Sequence, residues 1–160
     1  MSIRIAASAG LAALLALPAA ASAQALVEKN ISLAMAQALA QAASTACTPR
    51  ASIAVLDRTG RMKVFLQGDN ASPINIELAR RKAYTSLSFR RTSIEWAKRT
   101  ETATQGQRAL TDVIPLQGGV PIMIGEEIIG AVGISGAPNG GEQEEACGKT
   151  GIENIKDMLK

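Results

Sequence analysis

The chain predicts an α+β fold, an antiparallel sheet of about five strands with helices packed against it. Two hairpins carry this prediction. Ala51 to Leu56 and Met62 to Gln67 are apolar runs joined by Asp57-Arg58-Thr59-Gly60, and Val120 to Ile124 and Glu127 to Ser135 are joined by a Gly-Glu-Glu turn. Segments with apolar residues at helical spacing stand before, between and after the hairpins. The resulting order, α-ββ-αα-βββ-α, segregates helices from antiparallel strands.

Taken in order, residues 1–23 have the pattern of a signal peptide. Arg4 supplies the positive start, Ile5 to Leu17 the apolar stretch, and Ala21-Ser22-Ala23 a small-x-small site before Gln24. The expectation is cleavage after Ala23 and a periplasmic or secreted single domain over 24–160. The apolar stretch is too short for a stable span, and no later run reaches about 18 uninterrupted apolar residues, so no membrane span is expected.

Ser32 to Thr45 is Ala-rich, with Leu33, Ala36, Leu39 and Ala43 on one face, and reads as a closely packing first helix that Pro49 keeps from continuing. The first hairpin follows. Ser72-Pro73 then places an N-cap before a proline at the first helical position, and Ile76, Ala79, Ala83 and Leu87 form the expected buried stripe of a second helix. Thr92-Ser93-Ile94-Glu95 is a capping box opening a third helix to about Arg99. Residues 100–111 are polar and read as loop. Val113 to Leu116 is expected to be a strand, the second hairpin follows, and Glu142 to Leu159 is the closing helix.

Cys47 and Cys147 are the only cysteines. An even count in an exported chain reads as one disulfide, tying the end of the first helix to the last, with two buried free thiols as the alternative. Charge is uneven: residues 58–108 hold eleven Lys/Arg against four Asp/Glu. Such a basic middle can attract anions or complement acidic patches on a neighbouring subunit. A nucleic-acid partner is not expected, because export removes it and only Phe65, Tyr84, Phe89 and Trp96 are available for base stacking.

The chain contains no histidine. That removes the Ser-His-Asp triad, the Cys-His pair and every His-based metal site. Two cysteines are too few for an iron–sulfur cluster, and any general base must be Asp, Glu, Lys, Tyr or water. The composition therefore favours a binder over an enzyme.

Three segments remain as candidates. In Gln117-Gly118-Gly119, paired glycines can bring backbone N–H groups close to an anionic ligand, or can serve a strand connection that needs positive φ. In Arg80-Arg81-Lys82-Ala83-Tyr84, Arg80 or Lys82 can pair a carboxylate and Tyr84 can ligate ferric iron; the bland alternative is a solvated helix face. Glu77 is expected to support Arg81 as an i,i+4 pair. The turn Ser135 to Gly141 precedes a helix whose positive end is already occupied by Glu142, Glu144 and Glu145, which excludes phosphate there. Met35, Met62, Met123 and Met158 have no short ligand spacing and read as core filler, and Asp57 reads as a turn residue.

The strand block Leu116 to Cys147, with Ser52-Ile-Ala-Val-Leu-Asp-Arg-Thr-Gly60 and Ile76-Glu-Leu-Ala-Arg-Arg-Lys-Ala-Tyr-Thr-Ser86, resembles the GlcG/HbpS family of small haem-binding-type proteins. The same module forms the C-terminal domain of PduO-type cobalamin adenosyltransferases, and the resemblance covers roughly residues 31–155. It implies a layered α+β fold, haem or a related tetrapyrrole as ligand, a cavity near the glycine loop at a subunit interface, and a homo-oligomer built on dimers. The family's haem ligation is attributed to His, which this chain lacks, so the resemblance leaves Tyr84, or apolar and carboxylate-directed contacts alone, to hold a haem. Three functions stay open. The first is an exported small-ligand binding or sensing protein with ligand residues drawn from Arg80, Lys82, Tyr84, Gln117, Gly118 and Gly119. The second is a lyase or isomerase for small hydroxy- or oxo-acids, with Glu or Lys as base. The third is an interaction module of an envelope complex without a ligand of its own.

Overall fold

The computed structural model describes residues 25–160; the expected signal peptide and its cleavage site lie outside the described residues. Four α-helices and four strands follow in the order α1 (Leu33–Ala46), β1 (Ser52–Asp57), β2 (Met62–Leu66), α2 (Ile74–Phe89), α3 (Ser93–Thr102), β3 (Gly119–Ile124), β4 (Glu127–Ser135) and α4 (Gly141–Asn154). Short 3₁₀ turns occupy Gln105–Ala109 and Lys156–Met158. The α+β class is as expected. The sheet is antiparallel throughout, in the order β2-β1-β4-β3.

The fifth strand does not form. Pro115 has no amide hydrogen to offer a ladder, and the flanking groups are satisfied by α2. The Ile114 amide donates to Thr85 Oγ1 at 2.9 Å, and the Val113 carbonyl accepts from the Arg81 guanidinium. The segment is pinned as irregular chain to a helix rather than to a strand.

The sheet is covered on both faces. Ile53, Val55, Val132 and Ile134 point to one side and pack against Ala36, Leu39, Ala43 and Cys147 of α1 and α4. Leu56 and Ala131 point to the other and pack against Ala83 and Leu87 of α2. Both faces being covered explains why every residue of β1 is buried. The Cys47–Cys147 disulfide is formed and joins the end of α1 to α4.

Local signals set most boundaries. Ser32 caps α1 by accepting from the Met35 amide, and Thr92 and Glu95 make the full capping box of α3. At α2 the helix begins one residue later than the Ser72-Pro73 signal implies, with Pro73 as cap and no side-chain cap bond. Two members of the expected stripes face solvent: Leu33 is 52% and Ile76 41% exposed. The inner face of α2 instead runs through Asn75, Ala79, Lys82, Ala83 and Ser86. Small residues dominate it because the helix backbone lies almost on the sheet. A Cβ on Gly133 would stand 2.0 Å from the Ala79 carbonyl oxygen, and one on Gly119 2.1 Å from that of Lys82.

Candidate functional site

The expected ligand residues separate into three places. Lys82 is buried, and its ammonium donates to Glu144 Oε2 at 2.6 Å and to the Ile134 carbonyl at 3.1 Å. Glu144 uses its other oxygen to accept the amides of Gly136 and Ala137. The glycine loop closes over this pair: Gly118 takes φ +121°, where a Cβ would press on Glu144, and the Gly119 amide donates to Ser93 Oγ at 2.9 Å. Gln117 donates to Glu145 Oε2. The loop thus takes the positive-φ strand connection, and its Gly119 amide and the Lys82 ammonium are engaged within the protein.

Arg80 lies on the outer side of α2, where its guanidinium binds Glu77 and Asp112, each at 2.6 Å. Hydrogen bonding to Glu77 raises the Arg80 pKa despite partial burial, and the same bond holds Glu77 below the usual carboxylate range. The expected Glu77–Arg81 pair does not form, because Arg81 turns to Val113. Lys82 is thus paired with Glu144, and Glu77 with Arg80.

Tyr84 is placed differently. It lies in a cleft of about 270 Å³ between the β1–β2 turn and the C-terminal end of α2. Its ring rests beside Gly60, with Cε2 3.1 Å from where a Cβ would stand. Leu87 and Ile128 are its apolar lining residues, and Arg58 and Arg90 are the two arginines that line it. Among the described residues the Tyr84 hydroxyl has no hydrogen-bond partner and Arg90 no ion pair. Ile128 stands at one end of β4 and Ile134 near the other, so this cleft and the Lys82–Glu144 pair are about 20 Å apart along the strand.

Three hydrogen bonds to one carboxylate oxygen close the turn beneath the cleft. Asp57 Oδ1 accepts from the Thr59 amide at 2.8 Å, the Thr59 hydroxyl at 2.7 Å and the Arg61 amide at 3.1 Å. Burial opposes its ionisation, but these bonds and the Lys63 ammonium outweigh it and hold the carboxyl below its usual range. Arg58 projects from this turn and binds Glu127 at 2.9 Å and Glu28 at 2.8 Å. Arg90 ends α2 in the left-handed conformation, φ 51°, a position where glycine is the easy residue. The sequence offered no periodicity for either arginine: both sit in turns, and only the left-handed bend after Phe89 brings Arg90 back to the cleft.

Among the described residues no group of three His, Cys, Asp or Glu side chains could hold a metal ion, and no helix is long and apolar enough to cross a membrane.

Comparison with known proteins follows this geometry. A family model described as "Haem degrading protein HbpS-like" matches residues 31–153. Protein GlcG of Escherichia coli is 34% identical over 87 residues, 52% of this chain and 63% of GlcG, so the match spans less than two thirds of that relative. The crystal structure of HbpS superposes with a TM-score of 0.77 at 31% identity, covering 84% of this chain and 96% of HbpS. A Streptomyces reticuli HbpS double mutant gives 0.75 at 31% identity, over 85% of this chain and 97% of that one. A PduOC–haem complex shares the fold, with a TM-score of 0.72 at 23% identity, over 79% of this chain and 95% of its own. With the family model covering most of its length and the layered fold shared throughout, this chain belongs to the HbpS-like family.

Proposed function

We propose that the protein binds haem or a related tetrapyrrole in the Tyr84 cleft, and that it does so outside the cytoplasm as a binding or sensing protein. The observation that carries this reading is the set of residues lining the cleft: Tyr84, Leu87 and Ile128 together with two arginines, Arg58 and Arg90. A planar apolar macrocycle bearing carboxylates needs such a pairing. The family membership and the HbpS likeness point to the same ligand class, and the signal-peptide pattern of residues 1–23 supports export.

The chain has no imidazole, and Tyr84 is the one lining residue whose oxygen can ligate ferric iron. A bound haem would supply the redox-active iron; Tyr84 would hold it at the phenol oxygen, and the arginines would take its propionates. The cleft volume of about 270 Å³ falls just below the roughly 300–1,000 Å³ of ordinary ligand pockets. A tetrapyrrole would therefore leave one face uncovered, and a second copy of the chain is the cover we propose, consistent with a homo-oligomer.

Haemin titration followed by absorption tests the reading. A saturable, sharp Soret band that is displaced or lost in Tyr84→Phe, with weaker binding in Arg90→Ala, is the expected result. A broad, non-saturating shift equal in all three proteins overturns it.

A further inference from the structure

Arg58 already holds a carboxylate that belongs to the chain itself. The segment leading into α1 runs across the mouth of both hairpins. The Lys29 amide donates to Glu127 Oε1, the Arg58 amide to Asn30 Oδ1, and the Ile31 amide to the Ile129 carbonyl. Glu28, on this segment, accepts from Arg58 Nη2 at 2.8 Å, while Arg58 Nη1 is shared between Glu127 Oε1 and the Ile128 carbonyl. Before Glu28 the chain contributes little to holding it, since Leu26 is 81% and Val27 94% exposed, whereas after it the Lys29 amide and the Asn30 side chain stay tied to Glu127 and the Arg58 amide.

The two arms of Arg58 are unequal. Nη1 is fixed by a strand carbonyl and a hairpin carboxylate, which set the direction of the side chain. Nη2 is engaged by a carboxylate from a strap that has no apolar anchorage until Ile31, which is 1% exposed. Arg58 is among the residues lining the cleft, and a carboxylate that reaches Nη2 from there would compete with Glu28 alone, without moving the Nη1 contacts.

We propose that Glu28 is a displaceable internal carboxylate, occupying on Arg58 the place of the ligand's own carboxylate, so that ligand capture releases residues 25–28 as a strap. This rests on the tetrapyrrole reading of the cleft and specifies it: the ligand class must bear a free carboxylate, and binding is coupled to exposure of the strap. The coupling is reciprocal, so loosening the strap must tighten the ligand. Because the Glu28–Arg58 pair is largely at the surface, with side chains 42% and 20% exposed, the expected gain is small, about two- to five-fold in affinity.

The test compares haemin with its dimethyl ester, in which both propionates are masked, on the full protein and on Glu28→Gln. The inference expects Glu28→Gln to bind haemin about two- to five-fold more tightly and the diester no better than the parent does. It also expects amide exchange of residues 26–28 to speed up when haemin is added to the parent. Arg58→Met should erase the preference for haemin over the diester; if that variant fails to fold, the Glu28→Gln comparison still decides. Haemin binding that is indifferent to Glu28→Gln, or an equal gain for the diester, overturns the inference and leaves the cleft as the site. Absence of saturable haemin binding in parent and variant alike overturns the cleft reading and this inference with it.

Discussion

Lys82 Nζ and Glu144 Oε2 stand 2.6 Å apart with each side chain only 5% exposed, although their helices pack on opposite faces of the sheet. The pair closes over the end of β4, where Lys82 also donates to the Ile134 carbonyl and Glu144 accepts the Gly136 and Ala137 amides. Lys82 has two acceptors and both oxygens of Glu144 have donors, the kind of satisfaction under which a buried ion pair is tolerated. Removing one partner strands the other. Lys82→Met or Glu144→Gln should each lower unfolding stability by about 3–5 kcal/mol, and the double variant by clearly less than the sum. Urea denaturation followed through Trp96, which is buried and stacked on Phe89 at 5.1 Å, reads this directly. Additive losses would show that the pair is not coupled.

The close approach of α2 makes a second, independent prediction. Gly119→Ala would place a methyl carbon where only 2.1 Å separates it from the Lys82 carbonyl oxygen. Either the helix lifts from the sheet or β3 shifts, and overpacking of this kind costs roughly 1–3 kcal/mol or more. Gly106→Ala is the control, since nothing lies within 4 Å of a Cβ there. A melting temperature lowered by Gly119→Ala but not by Gly106→Ala is the expected pattern.

These two sites show where sequence reasoning reached and where it stopped. Hairpins and capping boxes are local, so Glu127–Ser135 and the Thr92–Glu95 box were legible from neighbouring residues alone. The inner face of α2 was not. Its buried positions include Asn75, Lys82 and Thr85, which have partners on distant segments, so the apolar spacing that selected Ile76 pointed outward. The same blindness misplaced Val113 to Leu116, an apolar run whose backbone is satisfied by Thr85 and Arg81 rather than by a strand. At the cleft, Tyr84 was legible as a chemical type. Arg58 and Arg90 were not, because turns bring them there.

Acid should loosen the first hairpin through Asp57. Its folded pKa lies below the ordinary value of 3.8, so the unfolded chain takes up the proton first and stability rises with pH in that range. The contribution is complete above roughly pH 5 and is lost as pH falls through 3.8 and on through the lower folded value. Glu77 has the same sign, but its side chain is 48% exposed and salt will screen it. The stability gap between the parent and Asp57→Asn should therefore narrow steadily between about pH 5 and pH 3. A gap that stays constant over this range would assign the effect of Asp57 to hydrogen bonding alone.

The Cys47–Cys147 bond spans a sequence separation of 100 and ties α1 to α4. A loop of that length is worth up to about 4.7 kcal/mol in the chain-entropy account. Reduction, or Cys47→Ser with Cys147→Ser, should lower stability by several kcal/mol while leaving the Tyr84 cleft, on the other face of the sheet, able to bind. Denaturant curves with and without reductant measure the first part and haemin titration the second.

Arg90 sets stability against function at one residue. It holds φ 51° at the end of α2, a conformation that costs a side-chain-bearing residue roughly 1 kcal/mol relative to glycine. Nothing in the folding of the helix requires that residue to be arginine: the Arg90 side chain makes no hydrogen bond or ion pair among the described residues, and Ser86 Oγ donates to the Arg91 carbonyl across the turn. What Arg90 does contribute is part of the cleft lining, together with Tyr84. Arg90→Gly should therefore raise unfolding stability by about 0.5–1 kcal/mol and at the same time weaken haemin binding. Arg90→Ala, which keeps the backbone cost, should weaken binding to a similar degree without the gain in stability. If Arg90→Gly stabilised the protein and left haemin affinity untouched, the guanidinium would have no part in the cleft, and the positive charge that recognises a carboxylate there would rest on Arg58 alone.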